Sequence, residues 1–331
     1  MKKIAVIGVG GKTGTMFTFE LKKEAEVLAI GKEIEMINQK KVYLERNGRL
    51  ELFEEKVIKD SQFKDDLQPD FILLTTKNPV GPIIKFYYSK FKGAKKIPAL
   101  LISQNGFSPF EDSKNALKEI FGKDFEKVKI FRLFLFNPIQ KKEIKDKIFI
   151  SYSLPIKIAL ASGSEGIEDL IGIFKKSHFE VEIFPEKEIK NLEFSKLFLN
   201  LIGMASASRE FPVKEGFSNP EILKEEIEIL KEYIKVVKAA GGKFINFSNY
   251  PVKFLTYFLK LIPTNLLLLF GPIFLKIVEE KREEKPKELD EIEYLNGAIV
   301  KLGKKLKIET PVNEKIYKRV LEKLRSGPSG S

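Results

Sequence analysis

The sequence predicts two domains: an N-terminal α/β domain built on a mostly parallel sheet, and an all-α C-terminal domain. Three observations carry this. Residues 2–7 form a short apolar, β-branched run that enters a glycine-rich stretch and then a helical pattern. Apolar runs continue to alternate with helical periodicity as far as Pro185. From Glu186 onward the periodicity is helical throughout. A chain of 331 residues is long enough for two cores. The change of character places one domain at 1–186 and the other at 187–325. Residues 326–331, Ser-Gly-Pro-Ser-Gly-Ser, offer nothing to a core and read as an appended tail.

The first elements are the most informative. After the opening strand comes Gly8-Val9-Gly10-Gly11-Lys12-Thr13-Gly14, and then a helix over 15–23. A strand that feeds a glycine turn and opens a helix is the phosphate-cradling corner of a dinucleotide-binding βαβ unit. The glycines allow close backbone approach, and the helix N-terminus offers N–H groups to an anion. The usual spacing is G-x-G-x-x-G, yet the last position counted from Gly8 is Thr13, with Gly14 one residue later. Either the turn is longer by one, or Gly8, Gly11 and Gly14 form the working set. The ordinary alternative is a plain tight turn.

Residues 25–31 read as a second strand. Residues 42–45 and 50–53 flank Asn47-Gly48, a hairpin signal. Residues 70–76 and 98–103 read as buried strands, and 128–136, 147–152 and 156–161 continue the pattern. In the second half, helices are expected over 191–204, 220–240 and 288–306. Pro311-Val312-Asn313 is expected to open a last helix through Leu324. A cleft between the domains and the carboxyl ends of the parallel strands are the favoured places for ligands.

Composition narrows the chemistry. The absence of Cys removes disulfides, thiolate metal sites and a Cys nucleophile. His178 is the only histidine, which excludes a polyhistidine zinc site, so no metal is expected. It lies at an apparent helix-to-strand corner, where surface placement is the simpler reading. The net charge of +12 is spread over lysines mixed with glutamates, with no compact basic patch, so no nucleic-acid partner is expected. Abundant Lys and Glu, scarce Gln and no Trp resemble thermophile usage. The N-terminus is itself a core strand, so no signal peptide is expected and a cytoplasmic location follows. The apolar stretch 254–278 is interrupted by Lys260, Pro263, Asn265, Pro272 and Lys276, which argues against membrane insertion. Two short helices that pack on a domain face or cover a homodimer surface are expected there, with Leu267 and Phe270 as surface probes.

Candidate site residues cluster at strand ends. Lys32 follows the second strand, where a cation suits a ribose 2′-phosphate and an acid suits a 2′-hydroxyl; this favours NADP(H) over NAD, against which Glu33 stands next door. Thr75-Thr76-Lys77 and Ser103-Gln104-Asn105-Gly106 end the next two strands and should project from the same sheet edge. Asn105-Gly106 is also an ordinary turn signal. Lys196 and Asn200, four apart among apolar neighbours, share a helix face. A lysine so placed would have a lowered pKa and could donate a proton, although it could equally extend its ammonium to solvent. Glu291 falls in the acidic first turn of a helix, which the helix dipole explains without function.

Taken in order, the glycine turn, Thr76-Lys77, Gln104-Asn105-Gly106, Lys196-Leu-Phe-Leu-Asn200, Glu291-Ile-Glu-Tyr-Leu-Asn-Gly297 and Thr310-Pro311-Val312-Asn313 resemble the 2-dehydropantoate 2-reductases (ketopantoate reductases) over nearly the whole chain. The resemblance implies a Rossmann-like domain followed by a helical domain similar to the C-terminal domain of 6-phosphogluconate dehydrogenases. It also implies NADPH-dependent reduction of 2-dehydropantoate, a 2-oxo acid, to pantoate in pantothenate biosynthesis. By resemblance, Lys196 is the catalytic proton donor and Glu291 the cleft glutamate. Asn200 and Asn105 contact substrate. Gly8, Gly10, Gly11, Lys12, Thr13, Gly14, Lys32, Lys77 and Asn105 hold the cofactor. The chain departs from the pattern at Met204, where a second asparagine is usual, and near Lys276 and Glu279, where an Asn and a Ser are usual. Lys276, Ser206 or Ser208 would then be left to bind a carboxylate. Two alternatives stay open: a non-catalytic NADP-binding regulator, and another two-domain hydroxyacid or opine-type dehydrogenase.

Overall fold

The computed structural model describes residues 1–32, 39–163, 167–271 and 286–326. The chain divides into two compact units, Met1–Gln104 with Ser108–Ile189, and Asn105–Phe107 with Lys190–Ser331.

The first unit is built on an eight-stranded sheet in the order β12-β11-β8-β7-β6-β1-β2-β5. Its strands are β1 (Lys3–Ile7), β2 (Glu26–Gly31), β5 (Val57–Lys59), β6 (Phe71–Leu74), β7 (Ala99–Ile102), β8 (Ile130–Leu135), β11 (Ile156–Ser162) and β12 (Phe179–Pro185). All neighbours are parallel except β8 and β11. β6 and β7 are buried along their whole length, which is why they read as unbroken apolar runs rather than alternating ones. Helices α1 (Lys12–Leu21), α2 (Val80–Tyr88), α3 (Pro109–Phe121) and α4 (Ile167–Lys176) complete the βαβ pattern.

The Asn47-Gly48 hairpin and the 147–152 run do not join that sheet. They form a second sheet in the order β4-β3-β10-β9, from β3 (Lys41–Arg46), β4 (Arg49–Leu52), β9 (Gln140–Ile144) and β10 (Lys147–Tyr152). Its apolar face, with Val42, Leu44, Ile148 and Ile150, shares one core with Met16, Phe17 and Phe19 of α1. β9, with the sequence QKKEI, is exposed throughout; it has no apolar alternation to betray it and is held by its ladder with β10.

A buried carboxylate ties the small sheet to α1. Glu20, fully buried, accepts from Arg46 Nη1 at 2.8 Å and from the Tyr152 hydroxyl at 2.7 Å. His178 sits at the corner between α4 and β12, in the left-handed region at φ 66°, and its Nδ1 lies 2.8 Å from Glu20 Oε2. The ring is partly exposed and also helps to anchor this corner to α1.

The second unit is helical: α5 (Ile189–Leu201), α6 (Met204–Ser208), α7 (Val213–Ser218), α8 (Pro220–Ala239), α9 (Val252–Leu261), α10 (Thr264–Leu269), α11 (Asn296–Leu306) and α12 (Pro311–Ser326). α8 starts with Asn219, whose side chain accepts from the N–H groups of Glu221 and Ile222, and with Pro220 at its first position. Two buried glutamates on α8 cap other helices. Glu226 accepts from the N–H groups of Gly203 and Ser206 and from the Ser206 hydroxyl, all at 3.0–3.1 Å. Burial raises its pKa, against the pull of those hydrogen bonds. Glu232 accepts from Val312 N at 2.8 Å, Asn313 N at 2.9 Å and Asn313 Nδ2 at 2.7 Å, and so closes the start of α12.

Three sequence expectations are corrected here. The helix expected over 191–204 ends at Leu201; Gly203, at φ 94°, turns the chain and Met204 begins α6, fully buried. Met204 is therefore a core residue on a different helix from Asn200. The helix expected from 288 starts only at Asn296, because Leu295 at φ −104°, ψ −101° breaks it; Glu291 precedes a single 3-10 turn, Ile292–Tyr294. Leu267 is fully buried, whereas Tyr257, Leu266 and Leu269 are exposed, so Leu267 cannot probe a surface. Among the described residues no helix is long and apolar enough to cross a membrane. Glu33, Lys276 and Glu279 lie outside the described residues, as does the tail beyond Ser326.

Candidate functional site

In the first unit, the glycine turn joins β1 to α1 beside β2 and β6. The N–H groups of Gly8 and Val9 both donate to Ile30 O at 2.9 Å. Gly8 and Gly10 have φ of 102° and 110°, which a side chain would strain. Gly14 has no room for a Cβ: one would lie 2.7 Å from the Gly8 carbonyl carbon and 2.7 Å from Thr75 Oγ1. Gly11 has an unremarkable φ of −77° and precedes the first helical residue, Lys12. The working set is thus Gly8, Gly10 and Gly14, in a turn one residue longer than the usual spacing. Thr15 braces it by donating to Gly11 O at 2.9 Å and accepting from Gly10 N at 3.3 Å.

Because β2, β1, β6 and β7 run parallel, their carboxyl ends share one edge. Lys32 and Lys77 are exposed on that edge, and Lys12 and Thr13 are half-buried. Thr75 donates to Ile7 O at 2.6 Å, and Gln104 Nε2 donates to Thr76 Oγ1 at 3.1 Å. Gln104 is buried, and its Oε1 has no hydrogen-bond partner. An orphan acceptor of this type costs stability unless a ligand donor meets it. No side chain caps the N-terminus of α1, and its first turn holds no acidic residue. The cradle thus fits an anionic, hydrogen-bonding ligand of the dinucleotide class.

Arg132 was not anticipated from sequence. It is 1% exposed on β8 and donates to Ile102 O at 2.9 Å and Gln104 O at 2.5 Å. It fixes the end of β7, from which Gln104 projects. The available signal was a lone arginine in an otherwise apolar strand.

In the second unit a chain of amide and carboxylate groups is assembled. Asn200 Nδ2 on α5 donates to Asn105 Oδ1 at 3.0 Å, and Asn105 Nδ2 donates to Glu291 Oε2 at 3.2 Å. Three residues from distant parts of the sequence meet there. Lys196 is half-buried on α5, one turn before Asn200 and on the same face. Phe107 and Phe194 pack with ring centroids 5.7 Å apart, which seats the 105–107 segment on α5. Lys287 donates to Asn200 O at 2.5 Å and Ile202 O at 3.1 Å, satisfying carbonyls at the end of α5 and bringing the segment that carries Glu291 to it. Sequence reading missed Lys287, whose neighbourhood is only a run of charges.

The remaining residues of the two C-terminal motifs are structural. Asn296 Nδ2 donates to Asn313 Oδ1 at 2.9 Å. A Cβ on Gly297 would meet the Tyr317 ring at 2.9 Å. Tyr317 donates to Glu293, which also pairs with Lys301; that hydrogen bond pushes the Tyr317 pKa up to about 12. Ser206 and Ser208 are fully buried and occupied: Ser206 bonds Glu226, while Ser208 donates to Ala205 O and accepts from Arg319. Neither is available for a substrate carboxylate. Among the described residues no group of three or more acidic or imidazole side chains is placed to hold a metal.

Residues 188–323 match the family described as "Ketopantoate reductase PanE/ApbA C terminal". No curated protein matches the chain significantly in sequence. Among solved structures, the chain is similar to a PanE/ApbA family ketopantoate reductase from Ralstonia eutropha, with 18% identity, TM-score 0.71 and coverage of 97% of this chain and 98% of that one. It is similar to D-mandelate dehydrogenase in ternary complex with NADH and anilino(oxo)acetate, with 17% identity, TM-score 0.73 and coverage of 98% and 99%. A dimeric ketopantoate reductase from Staphylococcus aureus follows with 18% identity, TM-score 0.62 and coverage of 98% and 100%.

Proposed function

We propose, from the match of residues 188–323 to the family described as "Ketopantoate reductase PanE/ApbA C terminal", that the chain is an NADPH-dependent reductase of a 2-oxo acid, with 2-dehydropantoate the first substrate to test. The observation that carries the reading is the Asn200–Asn105–Glu291 chain, with Lys196 one turn away on the same face of α5.

When bound, the nicotinamide supplies a hydride to the substrate ketone carbon. Lys196 stabilises the negative charge that builds on the ketone oxygen and delivers the proton. Asn200 and Asn105 orient the substrate, and Glu291 holds the Asn105 carboxamide in a fixed sense by accepting from its Nδ2. The glycines at 8, 10 and 14, Gly11, Lys12 and Thr13 hold the pyrophosphate. Lys77 and Asn105 serve the cofactor side, and Lys32 meets the 2′-phosphate. The complex of D-mandelate dehydrogenase with NADH and an oxoacetate supports both the nicotinamide and the oxo-acid class.

The test is oxidation of NADPH and NADH, in parallel, against a panel of 2-oxo acids. Turnover favouring NADPH is expected, with near-complete loss in Lys196→Ala. Wild-type rates in that variant would remove Lys196 from the mechanism. NADPH binding without turnover of any acid would show a non-catalytic protein.

We further infer that the exposed face of α9 and α10, with Tyr257 and Leu269 at 64% and 74% exposure, is covered by a second copy of the chain. The dimeric state named for the S. aureus reductase supports this.

A further inference from the structure

The small sheet sets one cation against the glycine turn. Lys141, on β9, brings its Nζ to 3.3 Å from the carbonyl of Gly10. β9 is exposed along its whole length, so apolar burial does not explain where this side chain goes. A neutral carbonyl takes one of the three donors of an ammonium and offers it no countercharge.

Glu143 lies two residues along, on the same side of β9. It is paired with Lys40; that hydrogen bond and charge, with a smaller contribution from Lys141, hold its carboxyl below the usual range. Lys12 opens α1, whose first turn has no acid. Lys141 and Lys12 thus both lie at the turn, Lys141 on the Gly10 carbonyl and Lys12 at the first position of α1.

We propose that Lys141 is a ligand of the dinucleotide pyrophosphate, so that the small sheet supplies a further wall to the cradle. The inference rests on the dinucleotide reading of the glycine turn. A phosphate oxygen offers the ammonium a charged acceptor where Gly10 offers a neutral one, and such charge-assisted bonds are the stronger kind. The fusion of the small sheet to α1 through their shared core and through Glu20 gives Lys141 a fixed base to reach from.

The experiment measures dissociation constants of NADPH, NADH and adenosine for the full chain by calorimetry. It compares wild type, Lys141→Ala, Lys141→Arg and Lys142→Ala. Lys142 projects from the opposite side of β9 and carries the same charge, so it controls for net charge. Lys141→Ala is expected to weaken both dinucleotides about tenfold, equivalent to about 1.4 kcal/mol, with a flatter salt dependence. Adenosine, which lacks phosphates, should be unaffected. Lys141→Arg should retain most affinity, and Lys142→Ala all of it. Unchanged dinucleotide affinity in Lys141→Ala, or an equal loss in Lys142→Ala, overturns the proposal while leaving the cradle intact. Failure of the wild-type chain to bind either dinucleotide overturns the cradle reading itself, before any variant is made.

Discussion

Replacing Glu232 by alanine should cost the helical unit more than almost any other single change on α8. Its carboxylate accepts from two backbone N–H groups at the start of α12 and from the Asn313 side chain. Asn313 keeps two other partners, Ile229 O and Asn296 Nδ2, so its side chain is not stranded. The backbone N–H groups of Val312 and Asn313 are, and Asn313 is fully buried. An orphaned buried donor costs about 1–3 kcal/mol, and loss of a helix cap typically costs about 1 kcal/mol. Allowing for overlap between these, Glu232→Ala should destabilise by roughly 3–4 kcal/mol. Glu232→Gln keeps one acceptor but turns an NH2 toward one of the donors, and should lose about half as much. Urea unfolding with an unchanged m-value is the assay, with hydrogen exchange across α11 and α12 to localise the loss. A change below about 1 kcal/mol for Glu232→Ala would refute the capping argument.

Three further outcomes are expected. Gly14→Ala should abolish dinucleotide binding, because its Cβ would drive into the Gly8 carbonyl; calorimetric affinity equal to wild type would count against the tight α1–β1 packing. Glu225 is pulled up by burial, but hydrogen bonds from Arg319 and Lys315 and the charges of Arg319 and Arg209 outweigh that and hold it low. Its stabilisation is therefore present above the ordinary carboxylate pKa and is lost as pH falls through the lowered one; the deficit in Tm of Arg319→Met should shrink on acidification, and a deficit constant with pH would contradict this. Tyr257→Lys combined with Leu269→Lys should halve the solution mass, and an unchanged mass would show that the α9–α10 face is not the self-association surface.

The strands buried on both faces were legible because burial on both sides forces continuous apolar sequence, as in β6 and β7. The glycine turn was legible as a turn, but its spacing was not: only the φ values at Gly8 and Gly10 and the crowding at Gly14 show which glycines are required. β9 could not be read, because an exposed edge strand needs no apolar period. The polar chain was legible only through family resemblance, since Asn105, Asn200 and Glu291 are far apart in sequence and their types recur in any turn or helix start. The end of α5 was misplaced because Leu-Ile-Gly-Met keeps apolar periodicity across a left-handed glycine. The buried glutamates Glu226 and Glu232 look, in sequence, like the solvent side of an amphipathic helix; nothing local distinguishes them from Glu221.

Residues 105–107 have a practical consequence for building chimaeras. Asn105 and Phe107 directly follow the first unit's β7 and Gln104, but their partners, Asn200, Glu291 and Phe194, all belong to the second. A polypeptide cut after Ile189 would carry this tripeptide without Asn200, Glu291 and Phe194, and a helical unit grafted from a similar protein would arrive without its own version. Exchange of helical units therefore has to move 105–107 together with 190–326, as one discontinuous cassette.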